Sequence, residues 1–146
     1  MITKKSKYAI KALIYLAKQP PKEPILIESI STDERIPRKF LEAILHDLKV
    51  SGFVISKKGI RGGYTLDKAP SDIRLADVIR TINGPIALVP CVSLNFYEAC
   101  TICPDESKCA LHHVMIEVRD ATLQILESTS LEDLILREKK LVKRKS

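Results

Sequence analysis

The chain has 146 residues, 45% hydrophobic and 29% charged, which is enough apolar material for one buried core and excludes wholesale disorder. Four cysteines are too few, in a chain this long, for a disulfide-dense secreted scaffold, and no run of about 18 uninterrupted apolar residues exists to cross a membrane. The net charge of +6 is segregated: residues 1–84 carry 16 basic and 9 acidic side chains, residues 85–136 carry 2 and 8, and residues 137–146 carry 6 and 1. A basic front ahead of an acidic middle suits a head that meets a polyanion, with a solvated, soluble surface as the plain alternative. The basic start up to Lys7 leads into a segment broken by Lys11 with no small-residue cleavage site, so no signal peptide is read and a cytoplasmic location is expected.

The first predicted helix spans Tyr8 to Ala17, small and apolar on several faces and therefore central to the core, and it ends before Pro20-Pro21. A short second helix runs from about Ile27 to Asp33. A third follows almost at once, with Pro37 suited to its first turn. Leu41, Ile44, Leu45 and Leu48 of that helix fall at i, i+3, i+4, i+7 and face inward, leaving Arg38, Lys39, Glu42, His46 and Lys49 outside. Two strands follow, with Phe53 and Ile55 on one side of the first and Tyr64 and Leu66 on its partner. The tip between them carries Lys57, Lys58 and Arg61 among glycines. A fourth helix holds Leu75, Val78, Ile79 and Ile82 and stops at Gly84-Pro85.

Pro90 to Lys108 reads as irregular. A long helix then spans about Ala110 to Ser128, where Leu111, Val114, Val118, Ala121 and Ile125 step by 3, 4, 3, 4 as a heptad seam. Ile116, Leu123 and Leu126 form a second apolar strip, and two strips imply two partners: the chain's own head and another copy of the helix. Leu131, Leu134 and Ile135 begin a last short helix that runs into a basic tail, read as a solvated helix end or a disordered one. The resulting division is a head over 1–84, a cysteine-bearing loop over 85–109, a dimerisation helix and C-terminal helix over 110–136, and a tail over 137–146.

Three short helices followed by a hairpin make a winged helix-turn-helix, so the fold expected is mostly α with a small β-hairpin wing and a protruding dimerisation helix. The third helix fits a major groove, where Arg38 and Lys39 can bond phosphate or guanine and Glu42 can accept from a cytosine amino group. Lys57, Lys58 and Arg61 on the wing can follow the backbone or enter a minor groove, with the tip glycines keeping backbone close to DNA. No Gly-Lys-Ser/Thr follows those glycines, which excludes a phosphate loop. No serine or cysteine sits in a nucleophile elbow, so no enzyme is expected.

Cys91, Cys100, Cys103 and Cys109 fall within nineteen positions. Such thiols suit an iron–sulfur cluster, a zinc ion or reversible oxidation without metal. Cys100-Thr101-Ile102-Cys103 alone is like a zinc knuckle. His112 lies three residues after Cys109 and shares its side of a helix that starts there; a solvent-facing histidine is the plain alternative.

The chain resembles the Rrf-two family of bacterial transcription regulators, the group with IscR-type and NsrR-type sensors. The resemblance is carried by Tyr8-Ala9-Ile10-Lys11-Ala12-Leu13, by Ile36-Pro37-Arg38-Lys39-Phe40-Leu41-Glu42 and by Gly59-Ile60-Arg61-Gly62-Gly63-Tyr64-Thr65-Leu66. It continues through Leu75-Ala76-Asp77-Val78-Ile79, Cys103-Pro104 and Cys109-Ala110-Leu111 to Leu131-Glu132-Asp133-Leu134, in order over nearly all of residues 3–136. It implies a homodimer on a pseudo-palindromic double-stranded DNA operator. It also implies an iron–sulfur cluster, of the two-iron two-sulfur kind, that modulates DNA affinity in response to iron, redox state or nitric oxide. Cys91, Cys103 and Cys109 match the family's three cysteine positions, and His112 falls where some members place a histidine. Cys100 is extra: it could replace His112 or Cys103 as a ligand or act as a redox thiol, and zinc or no metal remains the alternative. Arg35 stands where glycine is usual in the helix-turn-helix turn, and is expected at positive φ; Ser31 stands where a small alanine usually packs.

Overall fold

The computed structural model describes residues 2–145. It contains six α-helices and one two-stranded antiparallel sheet among those residues, in the order α1 (Lys4–Ala17), α2 (Ile27–Glu34), α3 (Arg38–Val50), β1 (Val54–Lys57), β2 (Gly63–Leu66), α4 (Leu75–Asn83), α5 (Ala110–Ser128) and α6 (Leu131–Lys145). The fold is thus mostly helical with a small wing, as the pattern predicts.

Helix α1 starts four residues earlier than the apolar pattern, because the Thr3 hydroxyl caps it by accepting from the Ser6 amide at 3.3 Å. Its Ala9, Ala12 and Leu13 are fully buried, and the small alanines let α3 and α4 pack closely on it. Leu41, Ile44, Leu45 and Leu48 of α3 are all buried against it, the face their spacing requires. Each such side chain contributes about 1.5–3 kcal/mol by leaving water.

The α2–α3 turn is tight. Arg35 sits in the left-handed region at φ 53° and ψ 45°, which a non-glycine residue adopts at some cost. Ser31 offsets that cost: its carbonyl accepts from the Ile36 amide at 3.1 Å, and its hydroxyl donates to the Ile36 carbonyl at 2.7 Å. The buried Ile36 side chain anchors the turn.

Two readings of the pattern need correction. Strand β1 begins at Val54, which pairs with Leu66, while Ser56 pairs with Tyr64. The inward face is therefore Val54–Ser56, and Ile55 is exposed; Phe53 is buried because it precedes the strand, packed where α3 hands the chain to β1. A one-residue shift in phase exchanges the two faces of a strand. The last helix is also not short, since α6 continues unbroken to Lys145 and includes most of the basic tail.

The joint between α5 and α6 is tied to the head. Arg74 and Ser130 bridge in antiparallel fashion, with Leu75 N–H donating to the Thr129 carbonyl and Leu131 N–H to the Ile73 carbonyl, both at 2.9 Å. Ser130 and Asp133 form a reciprocal capping box at the start of α6. Helix α5 packs on α4 through its inner strip, where Leu123 is buried, and an Arg80–Glu127 ion pair at 2.6 Å closes the contact. Its other strip, Leu111, Val114, Val118 and Ile125, is exposed.

Candidate sensor cavity and nucleic-acid interface

The irregular segment before α5 folds into a pocket. A 3₁₀ turn at Glu106–Lys108, capped by Asp105 accepting from the Ser107 amide at 3.1 Å, delivers Cys109 to the start of α5. Cys109 is itself the N-cap: its sulfur accepts from the His112 amide at 3.4 Å. One helical turn on, His112 lines the same cavity as Cys109, with its ring nitrogen grouped with Cys91 and Glu106, while His113 turns away to the Ser107 carbonyl at 3.1 Å. Arg119 reaches back from α5 to the Val92 carbonyl at 2.7 Å and holds the far end of the loop against the helix.

All four cysteines, Glu106 and His112 line one cavity of about 370 Å³. The Cys103 and Cys109 sulfurs lie 3.8 Å apart as a hydrogen-bonded thiol pair. Ligand atoms of Cys91, Glu106 and His112 form a second group, all within 4.8 Å of one another. The Nδ1 atom of His112 is buried with no hydrogen-bond partner among the described residues, and a buried polar atom left so calls for an explanation.

The electrostatics differ from thiol to thiol. Backbone N–H groups of Ile102 and Cys103 point at the Cys100 sulfur and lower its pKa, the arrangement expected of a metal knuckle. The bond to Cys109 raises Cys103, and burial, then the Glu106 charge, raises Cys91. Glu106 was not singled out in the sequence. Its Oε1 accepts from the Tyr97 hydroxyl at 3.0 Å and the Cys100 amide at 3.3 Å, stapling the two halves of the loop. A single glutamate in an aperiodic segment carries no signal of such a role.

The chain's donors therefore fit a thiolate-bound iron–sulfur cluster or a zinc ion: four sulfurs, an imidazole whose free nitrogen faces no protein partner, and a carboxylate.

On the head, Arg38, Lys39 and Glu42 are exposed on the first turns of α3, and Lys57, Lys58 and Arg61 lie at the end of β1 and on the tip of the wing. Arg38 is not free: its Nη1 meets Glu28 Oε1 at 2.6 Å and its Nε meets Glu42 Oε1 at 3.1 Å. Beside α3, Lys4 lies over the Tyr8 ring at 5.7 Å, and that ring meets Phe40 edge-on at 5.7 Å. Phe40 lies on α3 next to Lys39, whereas Lys4, Tyr8 and Glu28 come from other helices and were missed, because α1 and α2 carry no signal of which helix ends the fold gathers around α3. The wing glycines also have a second use. A Cβ on Gly63 would strike the Ile25 backbone, to which Tyr64 is hydrogen-bonded in both directions at 2.8 Å. That glycine therefore serves the docking of the wing on its own chain.

Residues 2–137 match the Rrf2 family, described as iron-dependent transcriptional regulators. The chain belongs to the Rrf2 family. It is 43% identical over 138 residues to an rrf2-like HTH-type transcriptional regulator of Rhodobacter capsulatus, covering 92% of each chain. It is 30% identical to the HTH-type transcriptional regulator NsrR of Shouchella clausii, covering 94% of this chain and 89% of that one. The solved structure of CymR, the global cysteine regulator of Bacillus subtilis, superposes with a TM-score of 0.76 at 32% identity, covering 94% of this chain and 97% of the other. These Rrf2 relatives are transcriptional regulators, so this Rrf2 chain is a DNA-binding transcriptional regulator and not an enzyme. Among the described residues no helix is long and apolar enough to cross a membrane.

Proposed function

We propose that this Rrf2 protein is a homodimeric regulator whose grip on a double-stranded operator is set by an iron–sulfur cluster held on Cys91, Cys103 and Cys109. His112 is the fourth ligand and Cys100 an adjacent thiol. The observation that carries the reading is the convergence of those sulfurs and the unpartnered His112 Nδ1 on one cavity at the start of α5. Bound there, such a cluster would supply sensitivity to iron, to redox state and to nitric oxide.

The rest follows from the chain's own residues. The head over 1–84 carries the docking cations Arg38, Lys39, Lys57, Lys58 and Arg61, with Glu42 among them. The loop over 85–109 is the sensor, 110–136 joins the subunits, and 137–146 is the basic end, of which the described residues, to Lys145, extend α6. The exposed seam of Leu111, Val114, Val118 and Ile125 offers itself to the same seam of a second copy. Two recognition helices must then lie about 34 Å apart to meet successive turns of DNA. Cys109 caps α5 and Arg119 ties that helix to the loop, so ordering the loop fixes the N-terminal end of the dimerisation helix. Helix α5 packs on α4, and α4 on α1 and α3, which carries a small displacement to the recognition helix. A bias of about 1.4 kcal/mol between two spacings changes occupancy about tenfold.

Anaerobic purification with absorption spectra and iron and sulfide analysis tests the reading. A coloured protein with about two irons and two sulfides per chain supports it, as does a roughly tenfold change in operator affinity on cluster loss. A colourless protein with stoichiometric zinc overturns it. The 3.8 Å Cys103–Cys109 pair favours a second reading, a metal-free dithiol switch. There the two thiols give two electrons and two protons to a peroxide and form one disulfide. Free-thiol counts falling by two after peroxide, in protein isolated without metal, would identify it.

A further inference from the structure

Four of the five cations assigned to DNA contact are unrestrained: among the described residues Lys39, Lys57, Lys58 and Arg61 make no ion pair. Arg38 differs. It is held by Glu28 from α2 and by Glu42 from its own helix, at 2.6 and 3.1 Å, and all three side chains are about half exposed. The triad thus carries a net charge of −1 at the start of the helix that also presents Lys39.

We propose that Glu28 is a positioning residue for sequence discrimination: it reserves Arg38 for an uncharged base edge and denies it to the phosphate backbone. The proposal rests on the docking of α3 in a major groove. A guanidinium has five N–H donors in a fixed planar fork. Nε and Nη1 make the shortest contacts to the two carboxylates, which leaves the Nη2 amino group as the donor for an incoming DNA group. A phosphate approaching Nη2 brings its negative charge toward two carboxylates, and like charges brought together on binding are penalised. A guanine edge offers O6 and N7 with no net charge, and the cytosine paired with it presents an amino donor in the same groove. Arg38 can therefore give to guanine while Glu42 accepts from that cytosine. The free lysines and Arg61 supply the salt-dependent, sequence-blind part of binding. Glu28 lies on α2, away from the apolar core, with its side chain exposed. Its role is therefore separable from folding.

The test compares Glu28→Gln with the parent protein. The probes are a duplex selected by the parent from a random-sequence library and a scrambled duplex of the same composition. Gln keeps the size and an acceptor oxygen but removes the charge. The expected result is about threefold tighter binding to the scrambled duplex and little change on the selected one, so the discrimination ratio falls. The salt slope on the scrambled duplex should steepen by about 0.9, the signature of one added phosphate contact. Equal weakening on both duplexes, or an unchanged ratio and slope, would overturn the proposal. A parallel arm uses Arg38→Ala plus Lys39→Ala. If that pair leaves affinity for the selected duplex intact, the docking of α3 itself is wrong, whatever Glu28→Gln does.

Discussion

Replacing Gly63 by alanine separates the wing's attachment from the rest of the fold. Gly63 has φ +145°, a region that residues with a Cβ rarely enter, and a Cβ there would stand 2.9 Å from the Ile25 nitrogen and closer still to its carbonyl group. Glycine-only backbone costs another residue about 1–3 kcal/mol. Moving the strand aside breaks the two 2.8 Å hydrogen bonds between Tyr64 and Ile25, each worth about 0.5–1.5 kcal/mol. Partial relaxation by unseating the wing brings the expected loss to about 3 kcal/mol, a fall in Tm of roughly 10 °C for a chain of this size. Gly52→Ala is the internal control, because Gly52 also has positive φ, +79°, but nothing lies within 4 Å of the added Cβ. It pays only the backbone cost, about 1 kcal/mol. Thermal unfolding followed by circular dichroism, at one fixed protein concentration, measures both. If the two variants lose the same stability, the close approach of the wing to Ile25 does not hold the wing, and the reasoning fails.

Lysine at both Val114 and Ile125, which are 51% and 61% exposed, should halve the mass seen by analytical ultracentrifugation. Because each change is on a surface of the single chain, the variant should still unfold cooperatively; a dimer that survives both charges rejects the seam. Ser130→Ala should cost about 1 kcal/mol through loss of the α6 cap, read as a lower denaturant midpoint at unchanged slope. The Ser130 amide holds the Asp133 carboxyl below its ordinary pKa. The stabilisation is therefore complete above the ordinary carboxylate pKa of about 4 and is lost as pH falls through the depressed folded value. Asp133→Asn should flatten that part of the stability–pH curve, and a curve of unchanged shape would show the contact to be unimportant.

Much of the head was legible in the sequence because its helices are amphipathic. Leu41, Ile44, Leu45 and Leu48 recur at the helical period, and period alone tells which face must leave water. The wing was harder. Four residues give only two points per face, so Phe53 and Ile55 mimicked an inward pair until the register with Tyr64 and Leu66 fixed Val54 as the buried one. The end of α6 was misjudged for a related reason: a helix whose last turns are solvated shows no apolar stripe to follow.

The cavity divides in the same way. Residue chemistry alone marked Cys91, Cys100, Cys103, Cys109 and His112, since thiols and imidazoles clustered in one loop are rare without a purpose. It could not reveal Glu106 at the staple, Glu28 on the recognition arginine, or Lys4 and Tyr8 beside Phe40. Those meetings join segments with no shared period, and they arise only when the packing of α1, α2 and the loop brings distant atoms to within hydrogen-bond or ring-contact distance. Local sequence set which elements form and which faces are apolar, because those depend on neighbours a few residues away. Which charges face each other was decided by the assembled chain, because electrostatic contact depends on distance in space and not on distance along the backbone.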